Sequence, residues 1–141
     1  MTPEERELPH RSHNDWLSQG RDEVVDEIYI EDCQIISPNV PPELRRGRDA
    51  FKAYGHFLRN AFPDMKITDE DVICEDDLAA VRWTFNATHL GEFFGVPPSG
   101  RKVEITGFDI MRIRDGRIVE LYLEQDLLGL LGQIGAFESR K

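Results

Sequence analysis

Two runs of alternating apolar and polar residues, joined by Asp115-Gly116, constrain the fold of this chain more than any other feature. Residues 102–114 and 117–125 alternate in side-chain character, as half-buried strands do. Asp-Gly is a strong signal for a two-residue hairpin turn, because both central positions of that turn need a positive φ. The pattern therefore predicts an antiparallel hairpin in which Arg114 pairs with Arg117.

The rest of the chain predicts helices first and strands afterwards. An apolar stripe at helical spacing marks residues 47–62 as a helix, formed by Phe51, Tyr54, Phe57, Leu58, Ala61 and Phe62. The remaining expected elements are helices over 10–19, 22–28 and 127–134 and strands over 33–37, 65–74 and 79–89. This segregation predicts an α+β fold, in which helices cover one face of an antiparallel sheet.

Length and charge limit the classes of function. The 141 residues suit a single domain over 1–141, and Pro3 and Pro9 predict a flexible segment over residues 1–9. The net charge of -10 comes without a basic face, so neither nucleic acid nor a membrane is expected as a partner. The polar, acidic N-terminus does not resemble a signal peptide, and a cytoplasmic location is expected.

A two-residue turn also decides which hairpin side chains share a face. Counting back from the turn, Tyr122 lies opposite Asp109, and a hydrogen bond between them is expected. One face then mixes apolar and acidic residues: Ile105, Gly107, Asp109, Met111, Ile113, Ile118, Glu120, Tyr122, Glu124 and Asp126. Such a mixture suits a pocket wall, or a strand half covered by a helix. A bulge at the turn would shift this assignment by one residue.

Several segments together resemble the SnoaL-like polyketide cyclase family, within the superfamily of nuclear transport factor 2 and ketosteroid isomerase. They are AFPDM (61–65), VRWTF (81–85), the run 88–120 that begins THLGEFFGVPPSGR, and DLLGLLGQIG (126–135). The resemblance implies a cone-shaped, curved antiparallel sheet wrapped around N-terminal helices, with a pocket inside its mouth. It also implies ring closure of a polyketide ester by intramolecular aldol condensation, without metal or cofactor.

Asp126 is the residue that the resemblance matches to the family's acid/base aspartate. An aldol closure needs a base beside a carbonyl and an acid for the alkoxide, and one carboxylate can serve as both if its pKa is raised. An apolar strand and the nearby carboxylate of Glu124 would raise it. The alternative is that Asp126 is the N-cap of the helix that follows, which would lower its pKa.

Five further residues are candidates for contacts with a substrate. His89 could hydrogen-bond a carbonyl or pin the glycine- and proline-rich loop that it opens. Tyr122 could donate its hydroxyl to a ligand, or be partly buried with a wet tip. Trp83 and Phe85 are expected inside the cone, as pocket wall or as core, and Met111 belongs to the mixed hairpin face.

No metal or cofactor is expected. His10 and His13 have i, i+3 spacing, but the sequence offers no third ligand. Two functions remain open. One is a cofactor-independent cyclase or related isomerase acting on a small, apolar carbonyl compound. The other is a non-catalytic module for small-molecule binding or dimerisation.

The opposite face of the hairpin predicts self-association. It carries Phe108, Ile110, Val119 and Leu121, and a contiguous exposed apolar surface of this kind is typical of an interface. A homo-oligomer, dimer or tetramer, is therefore expected.

Overall fold

The strand-rich part of the sequence forms most of one curved, unclosed sheet, in a computed structural model that describes residues 1–138. Its strands are β1 (Tyr29–Ile36), β2 (Lys66–Glu75), β3 (Leu78–Thr88), β4 (Lys102–Arg114) and β5 (Arg117–Gln125). They lie in the order β1-β5-β4-β3-β2. Neighbours from β2 to β5 are antiparallel, whereas β1 is parallel to β5.

The helices pack against the inner face of this sheet. They are α1 (Pro3–Arg6), α2 (Leu8–His10), a π-helix (Arg11–Ser18), α3 (Glu23–Ile28), a 3-10 turn (Pro42–Leu44), α4 (Arg48–Ala61) and α5 (Leu127–Gln133). The predicted α+β fold of the nuclear transport factor 2 type, with its N-terminal helices, is confirmed. Within residues 1–138, no helix has the length and hydropathy to cross a membrane.

Residues 1–9 are largely helical where the sequence predicts a flexible segment. Pro3 and Pro9 stand at the beginning of α1 and α2, where a missing N–H breaks no helical hydrogen bond. Thr2 and Glu5 form a capping box, and Leu8 is buried in the core. The expectation treated both prolines as helix breakers, whereas their position in the first turn makes them helix starters.

A β-bulge close to the Asp115-Gly116 turn corrects the predicted register of the hairpin. The pair Arg114–Arg117 is present as expected. Two residues further along β4, however, Arg112 pairs with Glu120, which leaves Val119 as an extra residue of β5. Because side chains alternate along a strand, one extra residue moves every later side chain of β5 to the other face.

The bulge turns Leu121, Leu123 and Gln125 inward and Tyr122 and Glu124 outward. Asp109 lies opposite Leu123 and not opposite Tyr122, so the predicted hydrogen bond between Asp109 and Tyr122 is wrong. Tyr122 is 40% exposed on the outer face, where its hydroxyl lies 3.4 Å from Glu120 Oε1. The inner face of β4 keeps its predicted membership, and Asp109 is its charged residue.

The outer face of the sheet remains apolar, with altered membership. Phe108 and Ile110 are exposed as expected. The bulge buries Leu121 and exposes Tyr122 in its place, and Val119 is half-buried. The expected homo-oligomer remains a prediction on this corrected surface.

Candidate active site

A cavity lies between the helices and the inner face of the sheet, with a free volume of about 50 Å³. Aromatic rings form much of its wall, among them Trp16, Tyr54, Phe57, Trp83, Phe85 and Phe94. A few polar side chains interrupt this wall: Ser12, His13, Asn39, Asp109 and Gln125. An apolar lining with a small number of placed polar groups is typical of a small-molecule site.

His13 is the centre of the polar part of this wall. The π-helix buries Ser12, His13, Trp16 and Leu17 on its inner side. His13 Nε2 lies 2.5 Å from Asp109 Oδ2, and Nδ1 lies 2.6 Å from Asp69 Oδ1. An ionised carboxylate can only accept hydrogen bonds, so both ring nitrogens donate and the ring is an imidazolium.

Two features of the strands bring the carboxylates to His13. On β2, Asp69 pairs with Trp83 and Asp71 pairs with Arg82, so Glu70 is the extra residue of a bulge. A bulge of this kind re-aims the neighbouring side chains. On β4 the regular alternation is enough, because it points Asp109 inward and leaves it 2% exposed.

Gly107 makes room for the indole that holds Asp109. Trp83 pairs with Gly107 across the strands, and a Cβ at Gly107 would lie 2.2 Å from Cζ2 of Trp83. The indole therefore lies directly over the glycine, and its Nε1 donates to Asp109 Oδ1 at 2.9 Å. Each oxygen of Asp109 accepts one hydrogen bond and keeps a second lone pair.

The two carboxylates decide the charge of His13. Burial alone would lower its pKa, because a buried imidazolium loses its hydration. The charge and hydrogen bond of Asp109, together with those of Asp69, outweigh this effect and raise the pKa of His13 to about 9. At neutral pH His13 is therefore a positive ring between two carboxylates, of which Asp109 lines the cavity.

Other polar groups stand elsewhere on the wall. Burial raises the pKa of Tyr54, so the phenol stays protonated and can donate. Asn39, in the loop after β1, donates to the Gln125 carbonyl at 3.4 Å. The Ser12 hydroxyl lies 2.6 Å from the Tyr29 hydroxyl. Donors for substrate oxygens are thus available apart from His13.

The predicted substrate contacts divide between the cavity and other places. Trp83 and Phe85 line the cavity as expected. Met111 is buried on the inner face of β4, outside the cavity wall. Tyr122 lies on the outer face, because the bulge at Val119 shifts the later side chains of β5 by one position.

Of the two roles considered for His89, the structure shows the one in which its ring holds the loop over residues 89–101 in place. Its Nδ1 accepts a hydrogen bond from the Ser99 N–H at 3.1 Å and lies 2.9 Å from Ser99 Oγ. Its backbone N–H donates to the Arg101 carbonyl, and its carbonyl accepts from Gly100. Burial lowers the pKa of His89, which keeps the ring neutral and Nδ1 available as an acceptor.

Asp126 stands outside the cavity, as the N-cap of α5. Its Oδ1 accepts a hydrogen bond from the Gly129 N–H at 2.8 Å, and the residue is exposed. A Cβ at Gly129 would lie 2.1 Å from Asp126 Oδ2, so the close approach depends on glycine. Of the two alternatives for Asp126, the geometry supports the cap.

Sequence reasoning misses His13 and Asp69 and gives Asp109 only a structural part. It considers His13 solely as a metal ligand beside His10. Two signals were available. Ser12, His13, Trp16 and Leu17 share one face of a helical segment, and Asp109 interrupts an otherwise uncharged alternating set in β4.

Comparison with known proteins identifies the family of this chain. The family model for SnoaL-like polyketide cyclases matches residues 9–134. The chain is 30% identical over 116 residues to the aklanonic acid methyl ester cyclase DnrD of Streptomyces peucetius, covering 81% of this chain and 79% of DnrD. The chain therefore belongs to the SnoaL-like polyketide cyclase family, as the resemblance predicted.

Solved structures of relatives share the whole architecture. TsrD from Streptomyces laurentii superposes with a TM-score of 0.85 at 27% identity, over 97% of this chain and 99% of TsrD. Wild-type IdmH from Streptomyces antibioticus gives a TM-score of 0.79 at 32% identity, over 93% and 98% of the two chains.

Replacing Gly107 by alanine tests the placement of the indole. The new Cβ would overlap the Trp83 ring, so we expect Gly107→Ala to lower the free energy of unfolding by about 1–3 kcal/mol. The displaced indole would also change its near-ultraviolet circular dichroism and tryptophan emission. Gly116→Ala is unsuitable as a control because of its positive φ, whereas Ala80→Gly on β3 removes a methyl group without touching the site. An unchanged tryptophan signal in Gly107→Ala would contradict the geometry.

The charge of His13 predicts a loss of stability in alkali. Its folded pKa of about 9 lies above the unfolded value of 6.5, so its contribution is complete below pH 6.5 and lost as pH rises through 9. The shift corresponds to about 3 kcal/mol. Urea unfolding at a series of pH values from 6 to 10 would give the free energy of unfolding against pH. We expect this curve to fall more steeply for the wild-type protein than for His13→Gln. Parallel curves for the two proteins would show that His13 is not charged in the fold.

Proposed function

We propose that this protein is a cofactor-independent cyclase, which closes a ring by intramolecular aldol condensation or related proton transfer in a small, apolar carbonyl compound. The observation that carries the proposal is Asp109, which is held by His13 and Trp83 on the wall of an apolar cavity. Membership of the SnoaL-like family supports a cyclase-like function. DnrD, at 30% identity, is named for the cyclisation of aklanonic acid methyl ester.

Asp109 is the group that we assign as the base. Each of its oxygens has a lone pair beyond those used by His13 and Trp83, and the residue lines the cavity. In the first step, a proton moves from a carbon beside a carbonyl to the Asp109 carboxylate, and the electron pair of the C–H bond delocalises into the carbonyl as an enolate.

The second step forms the ring. The enolate carbon attacks a second carbonyl of the same molecule, one C–C bond forms, and the carbonyl π bond becomes an alkoxide. Asp109 then returns its proton to the alkoxide oxygen. No atom is gained or lost, so the step is an isomerisation that needs no co-reactant.

His13 acts on this chemistry through Asp109. Both of its N–H groups are used by Asp69 and Asp109, so it is a positioning residue. Its positive charge, fixed within hydrogen-bond distance of Asp109, favours the negative charge that develops on the substrate oxygen in a poorly hydrated site. The Tyr54 hydroxyl and the Asn39 amide are available to orient substrate carbonyls.

The cost of the charge cluster distinguishes this proposal from a passive binding module. Burying three ionised side chains is expensive, and well-packed apolar residues of similar volume are often as stable. Holding an apolar ligand does not require an ionised carboxylate on the cavity wall, which His13 and Asp69 support at separations of 2.5 and 2.6 Å. A catalytic base does require such a carboxylate, and in this proposal Asp109 is that base.

Asparagine substitutions at two aspartates separate the catalytic role from the capping role. We expect Asp109→Asn to lower kcat for cyclisation by about 10²–10⁴-fold, because an amide cannot accept the proton. Asp126→Asn makes the same chemical change at an N-cap, where asparagine caps as well as aspartate, so kcat should be retained. Aklanonic acid methyl ester is the first substrate to test, with chromatographic detection of the cyclised product.

Ligand binding supplies the control for this experiment. Trp16 and Trp83 line the cavity, so bound substrate should quench tryptophan emission in both variants. Full turnover in Asp109→Asn, or loss of turnover in Asp126→Asn with its binding intact, would refute the assignment of Asp109 as the base.

A further inference from the structure

The cavity is too narrow in this conformation to hold a small organic ligand. A free volume of about 50 Å³ holds one or two water molecules, whereas sites for small organic ligands enclose roughly 300–1,000 Å³. A cyclase substrate can reach Asp109 only after a side chain moves. Phe94 is placed to be that side chain, because it lines the cavity and is yet 46% exposed.

The ring of Phe94 lies at the exposed side of the cavity wall and is held there by edge-to-face contacts. Its centroid lies 5.5 Å from that of Phe57 on α4 and 4.7 Å from that of Phe93. Phe93 is 3% exposed and packs at 5.1 Å on Phe62. Phe93 therefore anchors the loop to the core, while its neighbour Phe94 covers the cavity from the solvent side.

The backbone at Phe94 is unfavourable for a bulky residue. Phe93 and Val96 exchange backbone hydrogen bonds of 3.0 and 2.9 Å, and between them Phe94 and Gly95 have φ values of 47° and 79°. Positive φ at both central positions is the type I′ turn, which favours Asn-Gly or Asp-Gly. A bulky residue with positive φ is an outlier that needs an explanation.

The same chain follows the usual preference elsewhere. Within residues 1–138, the other non-glycine residues with positive φ are Asp76 and Asp115, at 53° and 51°. Both stand in hairpin turns, and aspartate tolerates this conformation. The two other turns place an aspartate at the position of positive φ, whereas the turn at the cavity mouth places Phe94 there. Departures of this kind from local preference are expected where a side chain has a function.

We propose that Phe94 is a gate residue, which sets the size of the molecule that reaches the cavity and the rates at which it binds and leaves. The substrate in this inference rests on the proposed cyclase function. The gate itself requires only that a planar apolar molecule binds beside Trp16 and Trp83.

Stopped-flow quenching of tryptophan emission by emodin, a planar hydroxyanthraquinone, measures the gate without turnover. We expect Phe94→Asn to raise both the association and the dissociation rate of emodin on the order of tenfold, because the ring that narrows the cavity and its two aromatic contacts are lost. Phe94→Trp should lower both rates. Phe137→Asn removes an exposed aromatic ring that does not line the cavity, and should bind emodin at wild-type rates.

Thermal unfolding separates a gate from a packing residue. Asparagine adopts the positive φ of a type I′ turn more readily than phenylalanine, and this stabilisation offsets the lost ring contacts. The midpoint of thermal unfolding of Phe94→Asn should therefore stay within about 3 °C of wild type. Equal emodin rates in wild type, Phe94→Asn and Phe94→Trp would overturn the proposal, as would a midpoint lowered far beyond this range. A Phe94→Asn variant that does not fold would count as such a lowered midpoint. Loss of cyclisation in Asp109→Asn has no bearing on these rates, so the two proposals fail independently.

Discussion

The bridge from His13 to Asp69 and Asp109 is the interaction on which the rest of this structure depends. It joins the π-helix to β2 and β4 with hydrogen bonds of 2.6 and 2.5 Å in a largely apolar interior. Removing one partner would leave an uncompensated buried charge, which is far more costly than the bridge itself is stabilising. The bridge therefore fixes where the helical layer sits on the sheet, and the same placement creates the cavity wall. Structural and chemical demands fall on the same three side chains.

Irregular backbone decides which side chains reach this cavity. The extra residues Glu70 on β2 and Val119 on β5 each shift a strand by one position. The first lies directly beside Asp69, and the second gives Asp109 an apolar neighbour, Leu123, in place of Tyr122. With regular strands, Tyr122 and two glutamates would face inward and change the polarity of the wall. The unfavourable turn at Phe94 is a third departure from regular structure, and it also lies at the cavity.

The sequence predicts the fold far better than the site. Alternation in residues 102–125, the Asp115-Gly116 turn and the stripe of α4 are local signals, and the elements that they predict are present. His13 and Asp109 meet across 96 positions of sequence, a contact that no local pattern reports. No sequence pattern predicts the bulge at Val119, and this bulge places Tyr122 on the outer face of the sheet. Asp126 shows a second limit of the sequence. An aspartate suits both an N-cap and a catalytic base, and only its position outside the cavity distinguishes the two roles.

The protonation state of His13 is the most direct test of this account. Nitrogen-15 NMR of the imidazole ring distinguishes the doubly protonated cation from either neutral tautomer. The account predicts that His13 is an imidazolium at pH 7, with both ring N–H protons observable, and that it titrates at about pH 9. A neutral ring at pH 7, with one nitrogen unprotonated, would mean that the carboxylates do not hold its charge, and the assignment of Asp109 as a base supported by His13 would fall.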